Sequence, residues 1–195
     1  MVGWERHARR ILIQEVMATI RCTTKLLKEL GTKPTIAPAQ PPSLSDWHAN
    51  LLRVDSKKCV LFTNDLTLYS FLIHMVKKPF SAGFGELFRL GLLKSLMSDG
   101  LDNPQVKHTL GSQGSIMIAK TNSRSILGSM NDLAFQIKCI VHAMGGLVIT
   151  DLSEINRQLN YIPMSAINYN VGIEELRRRL VEPESRIENP GTQTQ

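Results

Sequence analysis

The sequence predicts an α+β fold: a mostly antiparallel sheet with helices packed on one face. Three observations carry this prediction. Between Trp47 and Met75, runs rich in apolar and aromatic residues follow one another across short turns, which suits an antiparallel meander. From about Arg124 to Met144, Ile126, Met130, Leu133, Ile137, Ile140, Val141 and Met144 recur at three- and four-residue steps, the stripe of a long helix lying on a core. Strands and helices also fall into separate stretches of the chain rather than alternating regularly, which favours α+β.

The elements are justified in order. Ile20 and Cys22 alternate with Thr19 and Arg21, the period of a half-buried strand. Thr23 or Thr24 caps the helix TKLLKEL, and Gly31 stands where a helix ends. Pro34, Pro38, Pro41 and Pro42 stiffen the loop to Ser45. Trp47 to Val54 reads as a strand, Ser56-Lys57-Lys58 as a turn, Cys59 to Thr63 as a second strand, Asn64-Asp65 as a turn and Thr67 to Met75 as a third strand. Lys77-Lys78-Pro79 ends the block. A helix over about Gly85 to Met97 has Leu87, Leu90, Leu93, Leu96 and Met97 as its apolar side. Asn103-Pro104 opens a short helix ending at Gly111, and Ser115 to Lys120 is a further strand. Gly145-Gly146 stops the long helix, Asp151 with Glu154 starts the next, Pro163 breaks it, and Ile173 to Val181 is the last.

These 195 residues suit one domain, expected over residues 17–182 with a flexible tail over 183–195. Residues 1–16 precede the first strand without a turn signal, so translation is expected to start at Met17, the alternative being that these residues form a short amphipathic arm. No run of 18 apolar residues occurs, and the N-terminus lacks the apolar stretch of a signal peptide. Cys22, Cys59 and Cys139 are widely spaced in apolar runs and read as buried reduced thiols. Together these features predict a cytoplasmic protein that does not engage a membrane. The net charge of +6 is concentrated in the front half, where Leu51 to Phe80 carries five basic and two acidic residues. Such a surface attracts polyanions.

Four stretches are familiar together: RCTTKLLKEL (Arg21 to Leu30), DWHANLLRVDSKKCVLFTN (Asp46 to Asn64), NSRSILGSMNDLAFQ (Asn122 to Gln136) and EINRQLNYIPM (Glu154 to Met164). With them the chain resembles a family of short, uncharacterised bacterial proteins known only as a domain of unknown function. The resemblance spans about Met17 to Leu180. It implies a bacterial, intracellular setting and supplies no mechanism.

No phosphate-binding loop, dinucleotide fingerprint, HExxH, nucleophile elbow or paired CxxC occurs, and the five histidines have no metal-ligand spacing. No cofactor and no metal are therefore predicted. Two clusters remain. On the long helix, Arg124, Asn131, Lys138 and His142 fall along one line beside the apolar stripe and are expected to be partly buried. Lys120, Ser123 and Arg124 stand where a strand runs into that helix, a place suited to an anion, so Lys120, Ser123, Arg124, Asn131 and Lys138 are the candidate ligand-binding residues. Gly128 is expected to allow close helix packing. In the meander, His48 and Asp65 are the candidate catalytic pair if the fold joins them; otherwise Asp65 belongs to a turn and His48 to a strand edge. Arg177-Arg178-Arg179 is explained by the pairs Glu174–Arg178 and Glu175–Arg179.

The leading expectation is a non-enzymatic binding or regulatory module for an anionic ligand, either a nucleic acid or an acidic partner protein. The alternatives are a small enzyme acting on a phosphate- or carboxylate-bearing substrate and an antitoxin-like or subunit partner of another protein.

Overall fold

A computed structural model describes residues 17–37, 41–75, 83–111, 114–147 and 151–181. The expected start at Met17 over residues 1–16, the tail 183–195 and the Lys77-Lys78-Pro79 stop lie outside the described residues. Strand β1 (Met17–Cys22) leads into helix α1 (Thr24–Leu30), whose first turn is capped by Thr23 and whose end is closed by Gly31 at φ 65°. Strands β2 (Asp46–Val54), β3 (Lys57–Asn64) and β4 (Ser70–His74) form the meander. Then come α2 (Phe84–Ser98), α3 (Asn103–Gly111), β5 (Ser115–Lys120), the 20-residue α4 (Arg124–Ala143) and α5 (Leu152–Leu159). A small hairpin of β6 (Pro163–Met164) and β7 (Asn170–Val171), bridged by a 3₁₀ turn over Ser165–Ile167, precedes α6 (Gly172–Val181).

The α+β class holds, but the main sheet is mixed. Its order is β4-β3-β2-β1-β5, with β2–β3 and β3–β4 antiparallel and β1 parallel to both β2 and β5. The reason is connection length: two- to five-residue turns make antiparallel neighbours, whereas the α1 segment returns the chain to the end from which β1 set out. The Pro-rich loop also runs beside β5, where Thr35 bridges Ala119 in parallel.

Helices cover both faces of the sheet, not one. On the first face Ile20, Trp47, Phe62 and Phe71 pack with Phe84 and Phe88 of α2, and α1 and α6 join the same core. On the second, Cys59, Leu61 and Leu72 pack under Ile126, Met130, Leu133 and Ile137 of α4 and Ile155 and Leu159 of α5. Successive strand residues point to opposite faces, so runs such as CVLF, apolar at every position, require cover on both sides.

Three local expectations change. The third strand begins at Ser70 rather than Thr67, because the Asn64 side chain accepts from the Leu66 and Thr67 amides and folds residues 64–69 into a turn. The inner side of α2 is Phe84, Phe88, Leu92 and Leu96; Leu90 and Met97 are exposed. The rings win the inner position because they meet Trp47, Phe62 and Phe71 at centroid separations of 5.2–5.8 Å. Gly91 permits this approach: a Cβ there would stand 2.6 Å from Ile73 and 2.9 Å from the Phe71 ring. The turn between β2 and β3 is Asp55-Ser56, both at positive φ, and Lys57 already belongs to β3.

Candidate functional site

A row of polar side chains crosses the second face at one end of the sheet. Arg21 of β1 is in register with His48 of β2, His48 with Thr63 of β3, and Thr63 with Ser70 of β4. All four are buried, with His48 fully so and Arg21 only 5% exposed. Arg21 occupies the position opposite Ile20 and Cys22 in the alternation; because β1 is an interior strand covered on both faces, that position is also buried.

Buried charge requires partners, and the row has them. Arg21 Nη1 donates to Asp46 Oδ1 at 2.7 Å and to Asp65 Oδ2 at 3.1 Å. His48 Nδ1 lies 2.6 Å from the other oxygen of Asp65. An ionised carboxylate only accepts, so this nitrogen carries the proton. Asp46 Oδ2 in turn accepts from the Ser43 amide and hydroxyl. Asn64 fixes the loop that carries Asp65: its carboxamide Nδ2 donates to the Leu44 and Asp46 carbonyls, while its Oδ1 takes the amides already named and the Thr67 hydroxyl. Two buried atoms of this row keep no partner among the described residues, Arg21 Nε and His48 Nε2.

The end of the row opens into a cavity of about 530 Å³. Arg21 and Asp65 form part of its wall, and Asn122, Ser123, Arg124 and Ser125 form another part where β5 passes into α4. Ser123 is the N-cap of α4, its hydroxyl accepting from the Ile126 amide. The first turn of a 20-residue helix concentrates unpaired amides and the positive end of the helix dipole at this wall. The remaining wall is apolar, from Leu66 and Leu68 on the β3–β4 connection and Ala166 and Ile167 in the small hairpin.

The structure thus joins His48 to Asp65 and sets Asp65 in one cavity with Ser123 and Arg124. Lys120, Asn131 and Lys138 are not part of its lining. The helical line of Arg124, Asn131, Lys138 and His142 is exposed rather than partly buried, because α4 turns Ile126, Ser129, Met130, Leu133, Ile137 and Val141 inward. Gly128 is exposed as well, with nothing within 4 Å of a Cβ built there, so close packing does not explain it. Cys139 is exposed, in contrast to the expectation for all three thiols. Burial pushes the Cys22 thiol up to about 12 and the Cys59 thiol up to about 11. Of the two glutamate–arginine pairs expected on α6, Glu175–Arg179 forms, while Arg178 turns to Glu175 and Arg177 to Glu174.

Sequence reasoning missed Arg21 and Asp46, and placed Asn64 only beside Asp65 at the hairpin turn. The only signal was an arginine inside a strand of apolar alternation, which reads equally well as a solvent-facing residue. A second polar cluster lies deeper: the Tyr69 hydroxyl meets Asp99 Oδ2 at 2.5 Å and Ser95 Oγ at 2.9 Å, and Asn160 Nδ2 donates to the same Asp99 oxygen. Burial pushes the Asp99 carboxyl above its usual range, and burial with the neighbouring Asp99 raises the Tyr69 phenol. Among the described residues no group of histidine, cysteine and carboxylate side chains could hold a metal ion, and no helix is long and apolar enough to cross a membrane.

No curated protein matches the chain. The model of the family described as Domain of unknown function (DUF6933) matches residues 19–175, a span that contains Arg21, Asp65, Arg124 and Ile167, and the chain belongs to that family.

Proposed function

We propose that the cavity between the end of β1, the β3–β4 connection, the small hairpin and the start of α4 binds a small anionic ligand that carries a phosphate or a carboxylate. One observation carries this reading: Arg21 and, at the first turn of α4, Arg124 line the same concave site. A helix N-terminus favours an anion, and a guanidinium complements a phosphate or a carboxylate. The site's cations surround a cavity rather than an extended strip, which supports a small ligand over a nucleic acid or an acidic partner surface.

The test is isothermal titration of the full chain with inorganic phosphate and with sulfate, at low and at moderate salt. Saturable one-site binding that Arg124→Ala weakens supports the reading. Absence of binding to either anion removes it. Tight binding of an oligonucleotide that Arg124→Ala leaves unchanged, and that falls steeply with salt, would favour the polyanion reading instead.

The 2.6 Å His48–Asp65 pair favours a second reading, an enzyme on the same class of ligand. Asp65 is the member at the cavity wall, and His48 acts from behind it through Nδ1. In that case Asp65→Asn abolishes turnover while leaving anion binding within about twofold. For the setting we propose the bacterial cytoplasm, a reading supported by the buried free thiols Cys22 and Cys59.

A further inference from the structure

We infer that the ligand is a bifunctional organic acid rather than a bare anion: an acid group at the start of α4, an apolar body, and a hydroxyl or amino group that donates to Asp65. This inference rests on the anion-binding reading and extends it.

The size of the site comes first. A volume of about 530 Å³ lies inside the range of roughly 300–1,000 Å³ common for organic ligands and is far more than one inorganic ion fills. The chemistry of the walls comes second. The first turn of α4 gathers donors on one part of the wall, whereas Leu66, Leu68 and Ile167 on another offer nothing to an anion. An apolar wall gains free energy only from an apolar surface that covers it.

The apolar wall is also held rigidly, at a local cost. Leu68 lies in the left-handed region at φ 55°, and so do Asn168 and Tyr169 at 55° and 59°, next to Ile167. Residues other than glycine adopt this conformation at a cost, and they persist where the surroundings over-determine them. Here those surroundings are specific. The Leu68 amide donates to the Asn64 carbonyl, the Tyr169 amide to the Met164 carbonyl, and Gly172 packs so closely on Leu68 and Tyr69 that a Cβ there would lie 3.1 Å from their backbone atoms. The two segments that form the apolar wall are therefore fixed against each other, as a preorganised site requires.

Asp65 supplies the third requirement. One of its oxygens receives His48 Nδ1 and the other receives Arg21 Nη1. Each carboxylate oxygen has two lone pairs, so each keeps one free. A second anion does not complement a carboxylate, whereas a hydroxyl or amino donor does.

The experiment is isothermal titration of the full chain, at fixed pH and salt, with three probes: sulfate, phenylphosphonate and 4-(aminomethyl)phenylphosphonate. The expected order of affinity rises along that series. The aryl body adds roughly tenfold or more by covering the apolar wall, and the amino group adds roughly tenfold through Asp65. Ile167→Ser is expected to erase most of the first gain and Asp65→Asn most of the second, each read as the ratio of affinities for successive probes on the same variant. If Asp65→Asn fails to fold, the ratio of the second and third probes on the parent chain still reads the donor requirement. Equal affinity for all three overturns the inference and leaves the anion-binding reading standing. Failure of all three to bind removes both. 4-(Aminomethyl)benzoate in parallel separates the two acids: binding it more tightly than the phosphonate assigns a carboxylate ligand, and the reverse assigns a phosphoryl group.

Discussion

The two faces of the main sheet are built from alternate residues of the same strands, yet they follow different physical rules. Ile20, Trp47, Phe62 and Phe71 look one way into a cluster of aromatic rings with Phe84 and Phe88. Their strand neighbours Arg21, His48, Thr63 and Ser70 look the other way and form a buried polar row. The aromatic face gains from area removed from water and from ring packing, and it asks little of geometry beyond volume. The polar row has to satisfy each atom it buries, and replacing such a row by apolar residues is often neutral or stabilising. A structure that keeps it, and leaves Arg21 Nε and His48 Nε2 unpartnered, holds groups that stability alone does not require. On the same face, away from the row, Leu61, Leu72, Met130 and Leu133 form an apolar cluster, into which α5 sends one polar side chain, Asn156, that bonds the Leu72 amide and carbonyl.

The contrast is broken most strongly on the aromatic face. Phe88→Ala is expected to cost about 3–5 kcal/mol, because the ring is fully buried against Trp47, Phe62 and Phe71. Urea denaturation measures this cost. On the polar face, Arg21→Met leaves the half-buried Asp46 and Asp65 without their guanidinium, a loss of up to about 3–5 kcal/mol. The double variant with Asp65→Asn recovers part of it, with a coupling of roughly 0.5–3 kcal/mol. A coupling of zero would show that the two side chains do not depend on one another.

Smaller effects sharpen the comparison at the helix that covers the polar row. Ser123→Ala removes the N-cap hydroxyl of α4 and should cost about 1 kcal/mol. Gly128→Ala should stabilise by roughly 0.5–1 kcal/mol, since the position is helical, exposed and open around a Cβ. A thermal melt in which Gly128→Ala is instead destabilised would indicate a contact that this face of α4 makes outside the described residues.

The smallest effect concerns pH. Asp99 holds its proton more tightly in the folded chain than in the unfolded one, because burial disfavours its charge. A carboxyl raised in this way contributes stability at pH below its unfolded value of about 4, and that contribution is lost as pH rises through the folded value. Asp99→Asn should therefore gain stability relative to the parent between pH 4 and pH 7 in parallel melts. The opposite trend would mean that the donors Tyr69 and Asn160 outweigh burial.

How much of the site was legible follows from the type of signal each residue carried. Ser123 and Arg124 were visible because a helix start has its own local chemistry, and the capping hydroxyl appears where it was expected. His48 and Asp65 were visible only as a conditional pair, 17 positions apart, and the meander closes that distance because Trp47 stands opposite Asn64 in register. Asn131 and Lys138 were misplaced for a related reason: a 100° step per residue places side chains on a helix, but the width of the buried stripe depends on what the helix covers. Arg21 was not found because an alternating strand reads the same whether its second face meets water or a second layer.

The sequence by itself determined the local elements, their caps and turns, and the α+β class, because these depend on residues close together along the chain. The helix α4 and its cap, the hairpin pairing of β2 with β3, and the stop at Gly31 are all of that kind. Only the tertiary structure decided that β1 lies between β2 and β5 in parallel, that both faces are covered, and that Arg21, His48 and Asp65 meet beside the start of α4. These features depend on which strand neighbours which. That choice is made by the burial of whole faces, a collective quantity that no short stretch of residues encodes.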